Sequence, residues 1–149
     1  MRHQRLEIFL YVLAALIALV GLADAIYLTV QHLTGETVSC IASSGCETVL
    51  GSSYAVIGKV PVAAFGAAAY FTVFSLATLA AFDWTRVRPL FLCLVGMMLA
   101  TTCWFLYLQA FVIHAFCDFC LLSAALTGLL SAIGIAIFFL VKKDAAATS

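Results

Sequence analysis

Apolar residues fill this chain in four long runs, at about 6–30, 62–82, 90–114 and 116–141, with few charged positions inside any of them. A helix needs about 20 apolar residues to cross the hydrocarbon of a bilayer, and each run reaches that length. The runs therefore predict four membrane-spanning helices. Between them lie a basic N-terminus, a long loop at 31–61, a short turn at 83–89, a very short joint at 114–116 and a tail from 142. No soluble remainder is large enough to bury a core of its own. The expected architecture is an all-α integral membrane four-helix bundle, a single domain over 1–149, with the long outer loop between helices 1 and 2.

Composition agrees with the pattern. Hydrophobic residues make up 66% of the 149 and charged residues 9%, against about 25% charged in an ordinary soluble domain. Seven basic and seven acidic residues cancel, so nothing marks a nucleic-acid surface, and the bilayer is the expected surrounding. The positions of the charges carry more than their sum. Arg2, Arg5, Arg86, Arg88, Lys142 and Lys143 fall on one side of the four runs and Lys59 alone on the other. Basic residues are retained in the cytoplasm, which places both termini and the 83–89 turn there and the 31–61 loop and 114–116 joint outside. Ala23-Asp24-Ala25 resembles the cleavage site of a secretory signal, but an apolar stretch from Ile8 to Ala23 exceeds the roughly 7–15 residues of a signal core. The first run is read as a spanning helix.

Six cysteines are distributed over this topology: Cys40 and Cys46 in the outer loop, Cys93 and Cys103 within the third run, Cys117 and Cys120 at the outer start of the fourth. Four of the six thus fall at the non-cytoplasmic face, where thiols are oxidised and disulfides persist. Cys117-Asp118-Phe119-Cys120 is a C-x-x-C pair placed by the pattern on the first turn of a helix, so its sulfurs share a face and can bond. A helix start favours a thiolate, and Asp118 opposes it. Cys40 and Cys46 lie among small, turn-forming residues. A disulfide over so short a loop adds little stability, which suggests a labile shuttle between an external partner and the helix-borne pair. Structural disulfides clipping the loop to the bundle would use the same residues, in a non-enzymatic scaffold or transporter subunit. A four-thiolate zinc site fits poorly, because only one pair has C-x(2–4)-C spacing. Cys93 and Cys103, deep in the apolar run, are expected to be packed as small hydrophobes.

With these features in place, the chain resembles the vitamin K epoxide reductase family, in its bacterial disulfide-forming branch. The resemblance rests on the segments Gly21 to Leu28, Cys40 and Cys46 followed by Glu47 to Ala55, Gly58 to Gly66, and Cys117 to Ala124, in that order and spacing. It implies a four-helix bundle around a quinone, ubiquinone or menaquinone, in the bacterial plasma (inner) membrane. It implies that Cys40 and Cys46 receive electrons from a thioredoxin-fold thiol oxidase, and that Cys117 and Cys120 pass them to the quinone. Some relatives carry the partner as a fused domain; here a separate protein is expected. Ala124 stands where the animal enzymes have a tyrosine, which favours ordinary quinone reduction over reduction of vitamin K epoxide.

Counting inward from each helix end brings Asp24, Tyr27, Phe65, Tyr107, Phe111 and Ser123 to the depth of Cys120. These six are the expected lining of a quinone pocket, an apolar site with a few polar groups. Asp24 stands out, because an ionisable residue inside a span is costly and by default functional. His114 is read as an interfacial residue or a proton donor to reduced quinone. Cys120 lies about 4.5 Å deeper than Cys117 at the helical rise, so Cys120 is expected to face the quinone and Cys117 the loop, with Cys46 meeting Cys117 and Cys40 the partner. No metal ligand set is expected.

Overall fold

The computed structural model describes residues 2–42 and 44–147, with side chains for 4–42 and 44–143. Ser43 of the cysteine loop, the side chain of Arg2 and the last two residues of the tail lie outside the described residues. Helix α1 runs Arg2–Thr34, α2 Cys46–Leu50, α3 Val62–Ala81, α4 Arg88–Tyr107 and α5 Asp118–Ala147. Among the described residues four helices are long and apolar enough to cross a membrane, covering Gln4–Thr34, Val62–Ala81, Thr85–Ile113 and Asp118–Lys143. The chain is an all-α multi-pass membrane protein.

The first helix outruns the apolar stretch that announces it at both ends. Helix α1 continues through polar His32 and Thr34 and stops where Gly35 takes φ +70°, a conformation that glycine adopts without strain. Helix α4 opens with Pro89 in its first turn, where a missing N–H costs nothing. Its far end is not α-helical. Residues Leu108–Ile113 form a π-helix, closed by His114 in the left-handed region at φ 54°. The last spanning helix starts at Asp118 rather than at 116.

The four spanning helices form a closed ring in which α1 packs on α3 and α5, and α4 packs on the same two. Small residues bring the backbones together, among them Ala14, Ala18, Ala77 and Ala80, all buried. Tyr11, Phe91, Leu130 and Ile137 fill the remaining core. Gly21 leaves room for the ring of Tyr70, which occupies the place a Cβ would take. At the end away from the long loop, Glu7 on α1 and Arg88 on α4 form a largely buried ion pair at 2.9 Å. Phe9, Leu16, Phe71 and Phe139 point outward onto the surface the bilayer covers.

The long loop is built rather than open. After α2 come a single turn of tighter helix at Ser53–Ala55 and an antiparallel hairpin of β1 Val56–Ile57 and β2 Val60–Pro61, paired Val56 to Pro61 and Ile57 to Val60. Gly58 takes φ +67° at the first turn position, where a two-residue hairpin of type II′ calls for glycine.

Candidate active site

Cys40 and Cys46 form a disulfide, with Cα atoms 5.5 Å apart. Cys46 opens α2, is 1% exposed, and its N–H donates to Cys40 Sγ at 3.1 Å. Cys40 is half-buried, and Ile41 beside it is 87% exposed. The loop is pressed onto the joint before α5. Gly45 lies against the backbone of Phe116 so closely that a Cβ would overlap its carbonyl and amide groups. The N–H of Ala42 donates to the Asp118 carboxylate at 2.6 Å. Both contacts flank the C-x-x-C.

Cys117 is fully buried and sits at the cap of α5, its carbonyl accepting from the N–H of Leu121 at 2.9 Å. It is therefore one residue short of the first turn on which the pattern placed both cysteines. Its own N–H donates to Gln109 Oε1 at 3.1 Å. A hydrogen bond from the Cys120 thiol, with backbone N–H groups of the helix start assisting, holds the Cys117 thiol down from 9.0 to about 7; burial and the Asp118 charge work against this. Cys117 is thus the more readily ionised sulfur of the pair, and Asp118 opposes this only as a minor influence. Cys117 and Cys120 are both thiols, and with Cys40, Cys46, Leu28, Val38 and Val49 they form one apolar cluster.

Beside this cluster a cavity of about 360 Å³ opens between α1, α3, α4 and α5. Asp24, Phe65, Ser123 and Cys120 line it, among mostly apolar neighbours. Tyr70 closes one wall, its hydroxyl 2.9 Å from Ser123 Oγ, 3.0 Å from the Ser123 carbonyl and 3.1 Å from Thr127 Oγ1. No group of three or more His, Cys, Asp or Glu side chains comes together in a way that could hold a metal ion among the described residues.

Three of the six expected lining residues stand elsewhere. Tyr27 packs its ring on Phe119, at 5.4 Å between centroids, and is 43% exposed. Tyr107 lies between Trp104 and Phe111 in an aromatic row on the outer face of α4 and its π-helical end, with Tyr107 50% and Phe111 67% exposed. Depth counting fixes a residue's level but not the side of the helix it occupies, and the π-helical turn shifts that side further. Cys93 and Cys103 likewise face outward rather than into the packing. His114 is exposed at the joint and contributes its left-handed backbone rather than a cavity-lining side chain.

Gln109, Tyr70 and Thr127 belong to the site without having been singled out. Gln109 is 3% exposed, lines the cavity and holds Cys117. Its signal was available: a lone amide deep in an apolar run is as costly as the carboxylate of Asp24 and meets the same criterion. Tyr70 and Thr127 carry no such mark, because both residue types are ordinary in spanning helices. The sequence model of the vitamin K epoxide reductase family matches residues 12–139, from the second turn inside the first membrane span nearly to the end of the last.

Proposed function

The chain belongs to the vitamin K epoxide reductase family of membrane oxidoreductases, and we propose that this member forms disulfides, carrying electrons from the dithiol of a separate thioredoxin-fold protein to a membrane quinone. The reading is carried by one arrangement: an oxidised Cys40–Cys46 pair packed beside reduced Cys117 and Cys120, with Cys120 bordering the cavity.

A thiolate of the partner attacks Cys40, the more exposed sulfur of the loop, and the partner leaves as a disulfide while Cys40 and Cys46 become thiols. The Cys46 thiolate attacks Cys117 of an oxidised Cys117–Cys120 pair and releases Cys120. Cys40 then attacks Cys46, which restores the loop disulfide and leaves Cys117 and Cys120 as thiols. That distribution of bonds is the one the structure has. Oxidation of these two thiols closes the cycle, and quinone accepts the two electrons and two protons to become quinol. In net terms, partner dithiol and quinone give partner disulfide and quinol.

The cavity suits such an acceptor. Its volume of about 360 Å³ lies within the roughly 300–1,000 Å³ of small-molecule sites. Phe65 offers an apolar wall, while Asp24 and Ser123 offer polar groups near Cys120. The bilayer is read as the bacterial plasma membrane, with both termini cytoplasmic and the cysteines on the outer side. Supporting this, Arg5, Arg86, Lys142 and Lys143 lie at the end of the bundle away from the cysteines. Arg88 shares that end but spends its charge on Glu7.

The test is anaerobic. Purified protein in detergent, given a reduced thioredoxin-fold protein and a soluble quinone, should convert one partner dithiol per quinone reduced. Absence of quinone-dependent thiol loss would overturn the reading.

A further inference from the structure

We propose that Asp118 is a positioning residue that docks the Cys40–Cys46 loop on the start of α5 for exchange between Cys46 and Cys117, an inference that rests on the relay described above. Exchange between two pairs of one chain gains its rate from holding the attacking sulfur close to its target. The loop disulfide cannot provide this, because it closes the loop on itself and ties it to no membrane-spanning helix. Among the described residues, the approach of Gly45 to Phe116 and the hydrogen bond from Ala42 to Asp118 tie the loop to the start of α5, beside the apolar cluster that the cysteines share. Ala42 lies within the ring that the disulfide closes, between its two cysteines, so fixing Ala42 orients both sulfurs.

The tie matters most when the loop is reduced. Opening Cys40–Cys46 removes the ring closure just when Cys46 must reach Cys117, and a charge-assisted bond to the backbone survives that opening. The ordinary alternative is that Asp118 only complements the dipole at the start of α5. That role needs the charge, whereas docking needs an acceptor oxygen, and asparagine separates the two.

The experiment uses full-length protein with Cys40→Ser, Cys120→Ser, Cys93→Ala and Cys103→Ala, leaving Cys46 and Cys117. Limiting diamide is added as the oxidant, taking up the two hydrogens, and the Cys46–Cys117 link is followed by non-reducing electrophoresis after digestion. Adding Asp118→Ala should slow link formation about tenfold, the effect of one hydrogen bond to a charged group, while Asp118→Asn, which keeps a neutral acceptor oxygen, should slow it clearly less. An unchanged rate in Asp118→Ala overturns the docking role. Equal slowing in Asp118→Asn also overturns it, by assigning the effect to charge. Should Asp118→Ala fail to fold, Ala42→Pro removes the donor instead of the acceptor, with slowing expected and an unchanged rate again fatal. Link formation needs neither partner nor quinone, so failure of quinone-dependent partner oxidation would sink the relay while leaving this measurement to judge the docking.

Discussion

Gln109 Oε1 accepts a hydrogen bond at 3.1 Å from the backbone N–H of Cys117, joining the π-helical end of one membrane helix to the cap of the next. Both partners are buried. The N–H at a helix cap has no partner within its own helix, and in lipid no water replaces one. Gln109→Leu should therefore cost about 1–3 kcal/mol, the penalty for an orphaned buried donor, and lower turnover by displacing Cys117. Gln109→Glu keeps an acceptor oxygen and should retain more of the stability. Thermal unfolding in detergent, measured beside thiol oxidation, checks both. A leucine variant with unchanged melting and turnover would show that the bond is incidental.

The Cys117 thiol, held at about 7 mainly by the hydrogen bond from Cys120, sets the pH range of exchange. Above that value the sulfur is a thiolate, the form in which it leaves Cys46 as the loop disulfide is restored; below it the proton returns and it leaves less readily. Alkylation of Cys117 should thus rise with pH about a midpoint near 7 instead of near 9.0. In Cys120→Ala the largest stabilising contact is gone, and the midpoint should move upward. A midpoint that stays put in Cys120→Ala would assign the lowered value to the helix start instead.

Much of this site was legible, and the reasons differ by feature. Span length and charge announce themselves directly, because a bilayer demands about 20 apolar residues and admits few charges. That is why four helices, Cys40 and Cys46 between two of them, and Asp24 near an end were readable. Which way a side chain faces was not. A helix surrounded by lipid is apolar all round and has no polar stripe to mark its outer side, so Phe65 and Tyr107 look alike in sequence although one lines the cavity and the other meets lipid. The π-helical turn at Leu108–Ile113 adds a rotation that no residue there advertises. Close backbone approaches were equally hidden: Gly45 reads as a turn residue, and its contact with Phe116 exists only once the loop folds over the bundle.

Cys93 and Cys103 face outward from α4 and belong neither to the cluster of the redox cysteines nor to the cavity lining, a reason stronger than depth to leave them out of the relay. Replacing both with alanine should leave turnover with a protein partner nearly unchanged and alter stability by no more than about 0.5 kcal/mol, as for other surface sites. By contrast, alanine at Cys40, Cys46, Cys117 or Cys120 should abolish turnover. Loss of activity in the folded double variant would mean that the relay runs through α4.

Gly21→Ala should be damaging although it adds a single methyl group. The new Cβ falls on the Tyr70 ring, and that ring is pinned by hydrogen bonds between its hydroxyl and those of Ser123 and Thr127. Overpacking of this kind costs about 1–3 kcal/mol. Since Tyr70 also borders the cavity, the variant should raise the KM for quinone more than the KM for the protein partner. Melting temperature and the two KM values decide it. Equal changes in both KM values would indicate a general loss of folded protein rather than a deformed cavity.

Which sulfurs exchange can be read from a trapped intermediate. Cys46 and Cys117 are the two most buried sulfurs, at 1% and 0% exposure, and belong to one cluster. Gly45 and Phe116, their preceding neighbours, touch backbone to backbone. Cys40 is left toward the solvent side and Cys120 toward the cavity. In the intact protein, a Cys46–Cys117 bond is resolved either by Cys40 attacking Cys46 or by Cys120 attacking Cys117. Cys120→Ser removes the second route. Cys117 then attacks Cys46 of the loop disulfide and frees Cys40, and alkylating that thiol blocks the first route, so a Cys46–Cys117 disulfide should accumulate. Mass spectrometry of a non-reduced digest would find a reductant-sensitive link between the loop peptide and the α5 peptide. A link from Cys40 to Cys117 would exchange the roles of the loop cysteines, and no link at all would refute direct transfer between the two pairs.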